Sequence, residues 1–205
     1  MPRAARHEVQ AILGPYHKRV RRVVQNAWDD CRRVSKLKAD AGIAPNLYRR
    51  TLANDVFDAM ARHAIIEFGT DDKVSLKVEA QTIKLIFKGK LVARFKKGDT
   101  NKLGQNIATQ AALAFANPEG ELPGLPQATK VEFIWIANEI QTQLEHVLVV
   151  ARDKNRLLWD YEIEAQEVSA AIIPLHPQAP LPDVNDEDDD LVKPKNDQSK
   201  KKKSE

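Results

Sequence analysis

A chain of 205 residues has room for one domain of ordinary size, and a hydrophobic content of 42% is enough for a normal core. Its single cysteine, Cys31, excludes an intramolecular disulfide and the common zinc sites that need two or more cysteines. The first residues lack the apolar segment of a secretory signal, and every apolar run is far shorter than the roughly 20 residues of a membrane helix. We therefore expect a cytoplasmic protein with no membrane contact.

The net charge of +3 conceals a gradient along the chain. Residues 1–50 carry 12 Lys and Arg against 4 Asp and Glu, and residues 51–130 carry 11 against 9. Residues 131–205 reverse the balance, with 9 cations against 16 carboxylates. Such asymmetry indicates a polyanionic partner for the first part of the chain, or charge pairing between its two ends.

The first elements are predicted to be helical. A helix over residues 3–13 ends at Gly14, and Pro15 suits the first turn of a second helix over 15–38. Apolar residues recur in this second helix at helical spacing, at Val20, Val23, Val24, Trp28, Cys31 and Val34. Its opposite face carries cations that include Lys18, Arg21, Arg22, Arg32 and Arg33.

A loop marked by Gly42 and Pro45 separates this helix from a third, predicted over residues 46–67. Asn46 is a suitable N-cap, because its side chain can accept a hydrogen bond from the first turn. Gly69 is a suitable residue for the left-handed position that follows a helix.

The apolar period then changes from 3.6 to two, which indicates strands. One strand is predicted over residues 74–78, and a hairpin over 82–97 turns at Lys88 and Gly89. The side chains expected to face the core are Ile83, Leu85, Phe87, Leu91, Ala93 and Phe95.

The second half of the chain continues the mixed pattern. We predict a helix over 101–117, a loop rich in Pro and Gly over 117–128, and strands over 131–137, 146–151 and 157–163. A short helix over 164–173 follows. Trp135, Trp159 and Tyr161 fall at inward positions and are expected in the core.

The predicted fold class is therefore α+β, with N-terminal helices packed on a mostly antiparallel sheet of five or six strands. The helical region is 1–68, and the sheet region with one inserted helix is 69–173 in the same compact domain. Residues 174–205 are a charged tail, in which six of the eight residues from Asp183 to Asp190 are acidic. We expect this tail to be disordered, because it has too little apolar surface to offset its ordering entropy.

The hairpin over 82–97 carries the main candidate site. If its apolar side chains face the core, the other face presents five cations and no anion: Lys84, Lys88, Lys90, Arg94 and Lys96. These residues and the helix cations are predicted contacts for phosphate groups, as in nonspecific nucleic-acid binding. Changing Lys84, Lys88 and Arg94 together to Glu should abolish this binding and change the melting temperature by a few degrees at most. The alternative interpretation is a solvated face whose lysines guard against edge pairing.

Chemistry is less well supported than binding. The histidines have no metal-ligand spacing, and no phosphate-binding glycine motif is present, so we assign no catalytic residue, metal or cofactor. The first functional hypothesis is a non-enzymatic binding protein for nucleic acid. The alternative is a protein-partner module, such as an antitoxin-like or defence-associated accessory subunit, with an acidic protein as partner. An enzyme with an unrecognised site is a third candidate, and the oligomeric state is left open.

Overall fold

The computed structural model describes residues 5–79, 82–105, 109–120, 122, 124 and 128–164. Within them, an N-terminal set of helices packs on a six-stranded, mostly antiparallel sheet, which confirms the predicted α+β class. The helix predicted beyond Glu164 and the charged tail at 174–205 lie outside the described residues. No helix in the described part of the chain is both long enough and apolar enough to cross a membrane.

Three α-helices form the N-terminal layer: α1 (Arg6–Leu13), α2 (His17–Asp40) and α3 (Arg49–Phe68). A single 3-10 turn over Gly14–Tyr16 joins α1 to α2 and contains Pro15. The predicted N-cap at Asn46 is wrong, because α3 begins only after Tyr48, whose backbone is extended. Gly69 follows α3 as predicted, but its φ of −64° is right-handed, so it does not form the left-handed cap.

The six strands follow one another across the sheet in chain order. They are β1 (Val74–Glu79), β2 (Thr82–Phe87), β3 (Leu91–Lys97), β4 (Thr129–Ala137), β5 (Leu144–Asp153) and β6 (Arg156–Glu162). All neighbours are antiparallel except β3 and β4, which are parallel. Two adjacent parallel strands need a connection that returns the chain over one face of the sheet to the start of the second strand. Residues 98–128 connect β3 to β4, and we call this segment the crossover.

The crossover contains less helix than the sequence predicts. Among the crossover residues that the structure describes, only α4 (Gln110–Ala116) is an α-helix, with Thr109 as its N-cap. Asp99 accepts hydrogen bonds from the backbone N–H groups of Asn101 and Leu103, at 2.8 and 2.9 Å, and so holds the preceding segment in a turn. Because an Asp side chain that bonds its own backbone competes with helix formation, the helix starts later than residue 101.

The main core lies between α1–α3 and one face of the sheet. All six hairpin side chains predicted to face the core are buried there. Trp28 of α2 packs on Trp135 of β4 with ring centroids 5.8 Å apart, and Phe87 contacts Phe133 at 6.2 Å. Tyr161 also belongs to this core, and the partly buried Trp159 packs against it. Each fully buried large apolar side chain contributes about 1.5–3 kcal/mol, so this layer holds the helices on the sheet.

The crossover covers the opposite face of the sheet. Val92 of β3 packs with Phe115 of α4 and with Leu122, and Ile134 of β4 lies in a further cluster with Leu148 and Val150. The sheet is therefore a central layer with apolar contacts on both faces. This arrangement determines which charged residues remain at the surface.

Lys130 at the start of β4 fastens the crossover. Its ammonium donates to the carbonyl oxygens of Ala114 and Asn117, at 2.9 and 2.7 Å, and to that of Gly120. We predict that Lys130→Met lowers the free energy of unfolding by about 1–3 kcal/mol, because these carbonyls lose their donor. Urea denaturation measures the change. Lys90→Met, at an exposed lysine of the β2–β3 turn, is the control and should be neutral; equal effects of the two variants would contradict the assignment.

Candidate functional site

The centre of the predicted cationic sheet face is buried and neutralised. Arg94 is 4% exposed, and Glu132, its direct neighbour on β4, is 1% exposed. The Arg94 guanidinium donates to Glu132 Oε1 from Nε at 3.0 Å and from a terminal nitrogen at 2.6 Å. Arg152 of β5 approaches the second carboxylate oxygen at 3.4 Å. Glu132 therefore lies between two arginines beneath the crossover.

The remaining hairpin cations divide into covered and exposed residues. Lys84 donates to Glu79 of β1 at 2.8 Å. Lys96 is partly buried, and this burial, together with the nearby charge of Arg94, lowers its pKa. Lys88 and Lys90 are exposed in the β2–β3 turn. The expectation of an open face with five cations and no anion is therefore wrong, because the crossover covers the face and carboxylates from β1 and β4 enter it.

The predicted helix cations are also partly engaged. Arg22 bonds Glu67 of α3, with Nε 3.0 Å from Oε2, and Arg33 pairs with Asp30 on its own helix. Arg21 donates to the carbonyl of Ile163 at 3.1 Å. Lys18 and Arg32 are exposed. The structure does not bring the ten predicted cations together as one surface, and their binding to nucleic acid stays a prediction.

Arg19, which the sequence analysis left out, has the more central position. Its Nε lies 2.8 Å from Glu67 Oε1, it also bonds Asp71, and its guanidinium stacks 4.3 Å from the ring centroid of Phe68. In the sequence, Arg19 is one of several cations in the same part of α2, and nothing distinguishes it from them. Its partners Glu67 and Asp71 are far from it along the chain, so these contacts are seen only in the folded structure. Its role is to join α2 to the end of α3.

A different surface emerges where α2 runs past the core. Cys31 is the last buried residue of this helix, although the helix continues to Asp40. The apolar stripe also continues, to the exposed Val34 and Leu37. The helix end is nevertheless well formed: Gly42 has a φ of 71°, and the N–H of Ile43 bonds the carbonyl of Lys38 at 2.8 Å. This is the Schellman arrangement, which satisfies the last carbonyls.

A groove of about 320 Å³ lies beside this helix end. Residues of α2, the α2–α3 loop, the first turn of α3 and the β4–β5 turn line it, and we call it the α2–α3 groove. Its lining includes Arg32, Pro45, Leu47, Tyr48, Arg49 and Ile140. Leu47, Ile140 and Tyr48 are 85%, 75% and 58% exposed, so large apolar side chains face water here.

Hydrogen bonds hold the turn that carries Ile140. Asn138 Oδ1 accepts from the N–H groups of Thr142 and Gln143, at 2.7 and 3.1 Å, and the Asn138 amide donates to the Thr142 hydroxyl at 2.9 Å. Ile140 therefore lies in a turn that hydrogen bonds from Asn138 hold in place. Ile140 shares the groove lining with the exposed Leu47 and Tyr48, and a group of exposed apolar side chains, unlike a single one, can mark a contact surface.

The groove has a positive rim. Arg32 and Arg49 line it, and Arg50 stacks on Tyr48 with its guanidinium 4.9 Å from the ring centroid. Burial lowers the pKa of Lys97, and the charge of the nearby Arg49 lowers it further. Glu139 is the carboxylate among the described lining residues. The surface can therefore hold an apolar side chain and, beside it, a carboxylate bound by arginine.

The sequence contained a weak signal for this surface. Ile43 is an apolar residue in the predicted loop, Leu47 and Tyr48 are apolar residues at the start of the helix predicted over 46–67, and Leu37 extends the helical stripe beyond Val34. Ile140 lies in a region that the sequence left without a clear assignment. The groove itself joins elements far apart in the chain, so local patterns do not reveal it.

Comparisons with known proteins add no assignment: no protein-family model, curated protein or solved structure matches this chain. Among the described residues, no three His, Cys, Asp or Glu side chains are grouped so that they could hold a metal ion.

We predict that Arg94→Glu lowers the free energy of unfolding by about 3–5 kcal/mol, because it leaves Glu132 beside a second buried carboxylate. Urea denaturation of the purified variant measures this loss. The sequence alone predicts that changing Lys84, Lys88 and Arg94 together to Glu changes the melting temperature by a few degrees at most. Because Arg94 is buried on Glu132, we instead expect this triple variant to be severely destabilised.

Two variants control this measurement. The exposed Lys88→Glu makes the same change of charge and should stay within about 0.5 kcal/mol of the unchanged chain. The swap Arg94→Glu with Glu132→Arg should recover part of the loss. An Arg94→Glu variant as stable as Lys88→Glu would show that the pair does not stabilise the fold.

The contact of Glu67 with Arg19 and Arg22 should make stability depend on acid. Burial alone would raise the pKa of Glu67, but hydrogen bonds from Arg22 and Arg19 outweigh it and hold the pKa below its ordinary value. A depressed carboxyl pKa stabilises the fold above the unfolded value of about 4.3, and this contribution is lost as the pH falls through the folded pKa.

We predict that Glu67→Gln destabilises the protein at pH 7, and that the difference from the unchanged chain shrinks below about pH 4. Urea denaturation at pH 7, 5 and 3.5 tests this. Asp72→Asn, at an exposed carboxylate in the following turn, is the control. A Glu67→Gln effect that is the same at all three pH values would argue against an ionic contact.

Proposed function

We propose that this chain is a non-enzymatic binding protein that docks a protein partner in the α2–α3 groove. The observation that carries the proposal is the groove itself, with Leu47, Tyr48 and Ile140 exposed in its lining. Burial of such side chains against a partner would remove apolar surface from water. This removal contributes a favourable free energy of roughly 25 cal/mol per Å² of apolar surface buried. Interface centres are typically rich in aromatic and apolar residues and in Arg, and this lining combines all three.

The distribution of charge also supports a protein rather than a nucleic acid. Phosphate contacts need exposed cations along the path of a backbone, with no requirement for exposed aliphatic residues. Arg94, Lys84, Arg22 and Arg33 already bind carboxylates. Nucleic-acid binding through the remaining exposed cations, such as Lys18, Lys88 and Lys90, is therefore the competing outcome of the test.

The test compares a groove variant with a matched control in pull-downs from native extract. Leu47→Asp places a charge in the groove, and Ile66→Asp makes a similar change at a residue of α3 that is 76% exposed and outside the groove lining. We expect a stoichiometric protein that is captured by the unchanged chain and by Ile66→Asp, and whose yield falls at least tenfold with Leu47→Asp.

Nuclease treatment of the extract provides the second arm. Capture that survives nuclease and depends on Leu47 agrees with the proposal. Capture that nuclease abolishes, and that Leu47→Asp leaves intact, would contradict it and favour nucleic acid. Both variants should keep the melting temperature of the unchanged chain within a few degrees, because exposed positions contribute little to stability.

A further inference from the structure

The chemistry of the groove rim indicates what kind of segment it accepts. This step rests on the proposed function. Arg32 and Arg49 line the groove, Arg50 stacks on its Tyr48, and Glu139 is the carboxylate among the described lining residues. An apolar segment with carboxylates beside its anchoring side chains would complement this rim, and a basic segment would be repelled.

The start of α3 adds to the positive field. Its first turn carries Arg49 and Arg50 and has no acidic residue, and Tyr48 gives no side-chain cap. Cations at a helix N-terminus are unfavourable, because they lie at the positive end of the helix dipole. A carboxylate from a partner would therefore meet both the arginines and the positive end of the helix.

Topology limits the shape of the partner segment. A peptide that adds to the sheet as a strand needs a free sheet edge. The groove is lined by the turn between β4 and β5, and each of these strands already pairs with a neighbour on both sides. The remaining apolar lining lies on helix ends and a loop. This geometry is typical of the recognition mode in which an amphipathic helix lies in a groove and inserts anchors spaced three or four residues apart.

A second copy of this chain is a poorer occupant. A symmetric dimer contact places the same patch on both sides, so the patch that carries Arg32, Arg49 and Arg50 would face a second patch with the same positive charges. Like charges at such a contact oppose association. The charge of the rim therefore favours a different, acidic chain.

We propose that the α2–α3 groove binds an acidic amphipathic helix from a protein partner. Its apolar anchors contact Leu47, Tyr48 and Ile140, and its carboxylates pair with Arg32 and Arg49. Arginine can bind a carboxylate through two parallel hydrogen bonds, which would fix the orientation of the helix.

The experiment uses a displayed library of amphipathic helical peptides with a constant apolar stripe and randomised polar positions. Selection against the full chain, with Leu47→Asp as the counter-selection, enriches peptides that depend on the groove. We expect the enriched peptides to be acidic. Fluorescence anisotropy should show at least tenfold tighter binding than for versions in which the carboxylates are replaced by amides, and added salt should reduce this advantage.

A charge reversal locates the effect. Arg32→Glu with Arg49→Glu should weaken the acidic peptides at least tenfold and improve binding of versions in which Lys replaces the carboxylates. Lys88→Glu with Lys90→Glu makes the same change of net charge in the exposed β2–β3 turn and should change binding less than twofold.

The possible results separate this inference from the proposed function. Enrichment of neutral or basic peptides that depend on Leu47 would overturn the acidic partner and leave the docking groove supported. Absence of any enrichment over Leu47→Asp would overturn the helix proposal, and the pull-down would still decide whether a protein docks there. Loss of acidic binding in Arg32→Glu with Arg49→Glu, but not in the turn variant, supports the inference.

Discussion

Parallel strands cannot be joined by a tight turn, so the chain between β3 and β4 has to pass over one face of the sheet. Here it passes over the face opposite α1–α3 and buries Val92 and Ile134. Arg94 and Glu132, which are direct neighbours across the parallel pair, are then buried. Each charge is tolerated there because the other neutralises it, and removal of either leaves a costly buried ion.

This constraint reassigns the charges of the sheet. Cations that the sequence predicts on an open surface instead form ion pairs within the sheet. Lys84 pairs with Glu79, and Arg94 pairs with Glu132. The exposed lysines that remain on the hairpin lie at its turn. Arg32 and Arg49 are exposed and line the α2–α3 groove.

The groove arises because α2 is longer than the core beneath it. Packing ends at Cys31, while the Schellman cap at Gly42 completes the helix well beyond that point. The loop that returns the chain to α3 and the bonded turn at Asn138 then face each other across the groove. Leu47, Tyr48 and Ile140 stay exposed together around this groove, which is why this surface, more than the sheet, carries the functional proposal.

The sequence by itself determined the periodicities, and with them the three N-terminal helices, all six strands and the core-facing side chains of the hairpin. These are local properties, since a period of 3.6 or two selects helix or strand and one face of each. Only the tertiary structure decided that β3 and β4 are parallel, that the crossover covers the second face, and that Arg94 meets Glu132. It also decided that Tyr48 and Ile140 share one groove. Contacts between residues far apart in the chain depend on strand order and connection path, which local pattern does not encode.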